Sequence, residues 1–224
     1  MKVLVIGASG QLGKCIYDEV EYIFNMGLLN NEYYFATHDM FDITNMSSME
    51  NYIYCHLRPD CIINCAAYTN VEKAEDDIVG AFNVNSKGVN NLVNICNKYG
   101  IFIMSATQLN GDYQTSETPD QNLLRGAKAI ADKIDFGAII LPVKEDDIDG
   151  LARILSNNSF ERPDLKISVY KNRRARYKGI YLWCKADLGT CRIIPMFATT
   201  YGYEIIQIDN LKILTEEPSA FKNE

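Results

Sequence analysis

The sequence predicts an α/β chain built on a doubly wound parallel sheet, and three observations carry that expectation. Short apolar runs alternate with tracts of helical period through the first half of the chain, the connections between them are brief, and a glycine-rich turn joins the first run to the first tract. With 224 residues, 47% of them apolar, the chain can bury one substantial core, or one large and one small. A net charge of -7 argues against general affinity for nucleic acid or an anionic membrane surface. No run of about 18 apolar residues is present, and the first residues read as a strand rather than a signal peptide, so a cytoplasmic location is expected.

The first strand is Val3-Leu4-Val5-Ile6, four apolar residues suited to a sheet covered on both faces. Gly7-Ala8-Ser9-Gly10-Gln11-Leu12-Gly13 follows, and Leu12, Ile16, Val20 and Ile23 then recur at helical spacing until Gly27 ends the helix. Tyr33 to Thr37 is the second strand. Asp42 to Asn45 leads into a helix running to Leu57, broken by Arg58-Pro59. Asp60 to Asn64 is the third strand, Ala66 to Thr69 a small-residue turn, and Asp77 to Tyr99 a long helical tract closed by Gly100. Ile101 to Ser105 is the fourth strand. Beyond it, Gln108 to Gln121 reads as a loop, Leu123 to Ile134 as a helix, Ala138 to Pro142 as a fifth strand and Asp147 to Leu155 as a helix. Ile167 to Tyr170, Gly179 to Trp183 and Glu204 to Ile208 are short strand candidates, and the tail from Glu216 is polar.

In such sheets ligands bind beyond the carboxyl ends of the strands. Each glycine of the turn has its own task there. Gly7 allows a sharp turn, Gly10 lets the backbone approach a pyrophosphate, and Gly13 lets the helix pack close to the strand. The phosphate would sit on the helix N-terminus, where unpaired N–H groups and the helix dipole favour an anion. The turn therefore points to a dinucleotide in a Rossmann-type fold. The seven cysteines, odd in number and mostly within apolar runs, read as buried free thiols. Cys61 and Cys65 stand four apart with only His38 and His56 to join them, so no metal site is expected.

Several separated blocks carry a family resemblance. Gly7 to Gly13, Asp42-Ile43-Thr44, Arg58-Pro59-Asp60, Ile63 to Glu75 and Ala81 to Leu92 together resemble dTDP-4-dehydrorhamnose reductases, extended short-chain dehydrogenases that reduce a 4-keto nucleotide sugar with NADPH or NADH. The resemblance covers about the first half of the chain. It implies a cofactor, NADP or NAD, with Gly7, Ser9, Gly10, Gln11, Leu12 and Gly13 around the pyrophosphate. It places Asp42 and Ile43 at the adenine, and Ala66, Ala67 and Tyr68 on the nicotinamide side. Asp42 also reads as a turn or helix-capping carboxylate. Asp39 could instead take the ribose hydroxyls and favour NAD, and the preference stays open. The implied division is a cofactor-binding domain over residues 1–145, with contributions from 146–156, and a small, truncated C-terminal substrate lobe over 157–224.

The family's catalytic pattern is not kept. Its Ser-Thr-Asp-Tyr run reads Ser105-Ala106-Thr107-Gln108 here, and where its Tyr-Gly-x-x-Lys belongs the chain has Leu124-Arg125-Gly126-Ala127-Lys128. That tyrosine and lysine need one helical face, so that the ammonium can lower the tyrosine pKa and hold the cofactor ribose. A Tyr-x-x-x-Lys at Tyr181 to Lys185 lies in a strand-like stretch, and Tyr113 lies in a loop. No catalytic residue is assigned. Lys171, Arg173, Arg174, Arg176 and Lys178 form a basic cluster that fits a substrate diphosphate, an acidic partner or a solvated edge. Two readings result: a dinucleotide-binding relative that acts as a regulatory or partner-binding subunit, or a nucleotide-sugar reductase with replaced acids. The partners expected are a dinucleotide, a nucleotide sugar, a second copy of the chain or another protein.

Overall fold

The computed structural model describes residues 1–107, 134–173, 179–189 and 192–207. They fall into two compact units, divided between Gln108 and Leu109. The first unit runs β1 (Lys2–Ile6), α1 (Gln11–Asn25), β2 (Glu32–Ala36), α2 (Met46–Asn51), β3 (Cys61–Asn64), α3 (Val71–Asp76), α4 (Ile78–Phe82), α5 (Val89–Tyr99) and β4 (Phe102–Ser105). The four strands form one parallel sheet in the order β2-β1-β3-β4.

The chain leaves β1 for β2 on one side and returns to β3 on the other, so right-handed crossovers place α1 on one face and α2 and α5 on the opposite one. Packing agrees. Phe35 is in register with Val5 and stacks edge-on against Tyr17 of α1, ring centroids 5.0 Å apart. The alternate residues Leu4, Ile6, Ala36 and Ile62 turn the other way, into a core with Met49, Ile53, Leu92, Ile95 and Cys96. Each fully buried Leu, Ile or Met of this core contributes about 1.5–3 kcal/mol relative to exposure.

The helices are less regular than their spacing implies. The expected helix to Leu57 is α2 followed by a π-helical segment, Tyr52–Leu57, stopped by Arg58 in the left-handed region at φ 50° ahead of Pro59. The expected tract to Tyr99 is α4, a second π-helical segment (Asn83–Gly88) and α5, closed at Gly100 with φ 67°. An additional short helix, α3, precedes it. Asn70 and Asp77 separate the pieces, because each side chain accepts from a backbone N–H three residues on and so starts a new helix.

The second unit departs from the expected layout. It runs β5 (Phe136–Pro142), α6 (Glu145–Asn158), β6 (Leu165–Asn172), β7 (Ile180–Asp187), β8 (Arg192–Thr200) and β9 (Ile205–Ile206), five strands in one antiparallel sheet in that order. The strand expected at 138–142 exists, but it pairs antiparallel with β6 instead of extending the parallel sheet. By packing, the two compact units divide at 108/109. An apolar five-residue run suits either sheet; only its distant partner decides.

Leu151 of α6 packs on Tyr181, Trp183 and Phe197. Beside this cluster lies a buried ion pair, Lys166 Nζ to Asp147 Oδ1 at 2.6 Å, with both side chains under 10% exposed. The carboxylate also accepts from the Tyr203 hydroxyl at 3.2 Å and from the Lys144 backbone N–H at 2.9 Å, so its burial is compensated. The ammonium stands over the Tyr181 ring, 4.7 Å from its centroid.

Candidate functional site

The loops at the carboxyl ends of β1 and β3 leave the sheet in opposite directions, the topological switch point at which ligands enter doubly wound sheets. Two backbone hydrogen bonds fix the glycine turn there. Ala8 N–H donates to Ala36 O at 3.1 Å, tying the turn to the end of β2, and Cys65 N–H donates to Ile6 O at 3.0 Å, tying the end of β3 to β1. Gly7 is required twice over. Its φ is +73°, and a Cβ would lie 2.5 Å from Ala66 N and 2.6 Å from the Cys65 carbonyl carbon. At Gly13 a Cβ would lie 2.6 Å from Gly7 O, so α1 presses directly onto the turn.

Gly10 acts differently. It is an ordinary extended N-cap, φ -74° and ψ 168°, and contributes no side-chain hydrogen bond. Asn45, Asn70 and Asp77 cap α2, α3 and α4 with their own side chains. The first N–H groups of the 15-residue α1 therefore keep their donor capacity at the positive end of the helix dipole. Ser9, Gly10, Gln11 and Leu12 are exposed around that opening, and Gly13 is buried beneath it.

On the β2 side, Asp42 makes a turn with its side chain. Its Oδ1 accepts from both Thr44 N and Thr44 Oγ1 at 2.8 Å. Ile43, expected at the adenine, is 3% exposed and belongs to the core, and its carbonyl accepts from Asn91 Nδ2 at 3.2 Å. His38, Asp39 and Met40 open to solvent. The ring nitrogens of His38 stand 4.0 Å from Asp39 Oδ1 and 4.0 Å from Asp42 Oδ1.

On the β3 side, the backbone of Ala66, Ala67 and Tyr68 is held by two asparagines to which the sequence reading gave no role. Asn64, 5% exposed, accepts from Ala66 N–H at 3.0 Å and donates to Ser105 Oγ at 3.1 Å. Asn85, on the second π-helical segment, accepts from Tyr68 N–H at 2.8 Å and donates to Tyr68 O at 2.9 Å. The signal for Asn64 was available: an amide that ends a buried apolar strand needs partners on both sides. Cys65 sits in this loop half-buried, and burial pushes its thiol pKa up.

Of the catalytic positions, Ser105, Ala106 and Thr107 are exposed at the end of β4. Gln108, Tyr113, Arg125 and Lys128 lie outside the described residues, as do residues 123–133 of the expected helix, Arg174, Arg176, Lys178, Cys191 and the tail. Tyr181 and Lys185 both belong to β7; the tyrosine is buried, and the lysine donates to Arg162 O at 3.1 Å. They share no helical face. Arg173 stands 3.9 Å from Asp135. The thiols are less uniformly buried than expected, since Cys15 and Cys55 are exposed on helices while Cys96 and Cys184 are buried. Among the described residues no three His, Cys, Asp or Glu side chains come together as a metal site, and no helix is long and apolar enough to cross a membrane.

A parallel sheet with helices on both faces and a glycine turn at its switch point define a Rossmann-type α/β protein. More particularly, the chain belongs to the RmlD substrate binding domain family, which matches residues 1–113. The SPbeta prophage-derived uncharacterized protein YorI of Bacillus subtilis (strain 168) is 33% identical over 164 residues, 71% of this chain and 31% of that protein. That alignment takes in residues beyond the family match. The dTDP-4-dehydrorhamnose reductase of Mycolicibacterium smegmatis is 32% identical over 95 residues, 42% of this chain and 26% of that enzyme. Among solved structures, the dTDP-4-dehydrorhamnose reductase of Bacillus anthracis in complex with NADP is 32% identical, covering 46% of this chain and 34% of that one with a TM-score of 0.39. The matches thus span about a third or less of the length of these curated relatives.

Proposed function

We propose that the first unit binds NAD or NADP, with the pyrophosphate on the Gly7–Gly13 turn, and that the chain alone does not reduce a sugar ketone. The carrying observation is the turn itself. Gly7 and Gly13 have no room for a Cβ, and the N-terminus of α1 is left without a side-chain cap, so backbone N–H groups and the helix dipole face an approaching anion. The dinucleotide named with the Bacillus anthracis reductase is NADP. Bound here, the cofactor would supply a hydride. The chain's own residues would orient it: Asn64 and Asn85 fix the 66–68 loop on the nicotinamide side, and the glycine turn fixes the diphosphate.

The non-catalytic part of the reading rests on the residues that follow β4. Ala106 and Thr107 offer no acid, and Gln108 and Arg125 occupy the positions where the family carries tyrosines. A regulatory or partner-binding role follows, with a second copy or another protein as partner. One observation favours the alternative of a nucleotide-sugar reductase: Ser105 survives, and Asn64 holds its hydroxyl.

Calorimetric titration with NADH and NADPH tests the first claim, and the absence of binding at millimolar concentration would overturn it. Mixing the protein with NADPH and a dTDP-4-keto-6-deoxy sugar tests the second. No oxidation of the cofactor above background is expected, and enzymatic turnover would establish the reductase reading in its place.

A further inference from the structure

The loops that face the proposed dinucleotide share a property that no single residue reveals. Gly7 to Gly10, Thr37 to Asn45, Cys65 to Asn70 and Ala106-Thr107 contain no lysine and no arginine. The one side chain in these stretches that can carry a positive charge is His38. It follows β2, next to the glycine turn, because Ala8 N–H is bonded to Ala36 O at the last position of that strand. In doubly wound dinucleotide sites this is where the ribose next to adenine lies, and where a carboxylate takes its hydroxyls or a cation takes a 2′-phosphate.

We infer that His38 reads the ribose 2′ position, favouring NAD when its imidazole is neutral and admitting the 2′-phosphate of NADP when it is protonated. This rests on the dinucleotide reading of the glycine turn. The charged groups within 4.0 Å of the ring are Asp39, on the same loop, and Asp42, one turn further on. The adjacent Gly7–Gly13 turn adds no titratable side chain. Asp42 Oδ1 is already committed to Thr44, whereas the Asp39 side chain is 100% exposed and available to ribose hydroxyls. With a neutral imidazole the loop presents two carboxylates and repels a 2′-phosphate. With an imidazolium it presents a charge-assisted donor to the same group. Histidine is the side-chain type whose charge ordinarily changes between about pH 5 and 8.

A phosphate monoester itself loses negative charge as pH falls through about 6, which relieves its repulsion from Asp39 and Asp42 and raises the preference for NADP without His38. The contribution of His38 is therefore the part of the change that His38→Asn removes.

The test is isothermal titration of the full chain with oxidised NAD and NADP at pH 8 and pH 6. In the native protein the ratio of the NADP to the NAD dissociation constant is expected to fall about five- to tenfold on acidification, the scale of one exposed charge-assisted contact. Because the His38 side chain is 78% exposed, substitution there leaves packing untouched. In His38→Asn, where only the phosphate titrates, the ratio should fall by less than about twofold, and His38→Arg should hold a low ratio at both pH values. A native ratio that moves by less than about twofold, or a His38→Asn protein that moves as the native one does, overturns the inference while leaving cofactor binding in place. Failure of both dinucleotides to bind at either pH would instead strike the underlying reading of the turn.

Discussion

Replacing Gly7 by alanine isolates the contact on which the site depends. Two costs add. The left-handed conformation at φ +73° costs a residue with a Cβ about 1–2 kcal/mol, and driving that Cβ to 2.5 Å from Ala66 N costs about 1–3 kcal/mol more, because both sides of the clash are backbone. Gly27 supplies the internal control. Its φ is +70°, and a Cβ there meets nothing within 4 Å, so Gly27→Ala should show the conformational cost alone. With a urea dependence of about 1–3 kcal/mol per molar, Gly7→Ala should lower the unfolding midpoint by roughly 1 M more than Gly27→Ala does. Hydrogen exchange read by mass spectrometry on peptides from β1 and β3 would locate the loss, and dinucleotide binding should disappear with it. If the two variants proved equally stable, the close approach of the β1 and β3 turns would be refuted, and with it the argument for a cradle of bare backbone.

Three further outcomes are expected. Asn64→Ala removes the acceptor for Ala66 N–H and should cost about 1–3 kcal/mol in thermal unfolding, against well under 1 kcal/mol for Ser105→Ala, whose side chain sits at the exposed end of the contact. Asp147→Ala strands a buried ammonium and should destabilise by about 3–5 kcal/mol, while combining Lys166→Met with Asp147→Leu should recover much of that loss; strictly additive losses in a double-mutant cycle would contradict the pairing. Burial raises the pKa of Tyr181 to about 12 from a usual value near 10. A raised folded-state value means the unfolded chain releases the proton first. Stability contributed by this group is thus complete below pH 10 and declines from pH 10 to about 12. Far-ultraviolet circular dichroism should show that decline flattened in Tyr181→Phe.

What was legible in the sequence followed the range of the forces involved. The Gly7–Gly13 turn, the stop at Arg58-Pro59 and the closure at Gly100 were readable because each is settled by a few neighbouring dihedral angles. The second sheet was not, because antiparallel pairing of β5 with β6 depends on a partner some thirty residues away, and an apolar run carries no mark of it. β8 went unpredicted for a definite reason: Pro195 interrupts it. The structure accommodates that proline where β9 does not reach, since β9 pairs only with Ala198 and Thr199, and a register shift at Trp183/Cys184 on β7 lies opposite it. At the site, the glycines were found by spacing. The two asparagines that hold the facing loop were missed, because their partners are backbone groups brought near only by folding. Ile43, which the family resemblance places at the adenine, has its side chain in the core, a burial that its sequence neighbourhood does not mark.

Trp183 is the only tryptophan in the chain, fully buried in the second unit, with its indole N–H donated to Thr199 Oγ1 at 2.9 Å and its ring stacked with those of Phe197 and Tyr203. Its ultraviolet emission is therefore a signal from the antiparallel sheet. A ligand on the glycine turn is better followed by the light of the reduced nicotinamide itself, and the two colours together would let the halves of one chain be watched separately in a single cuvette.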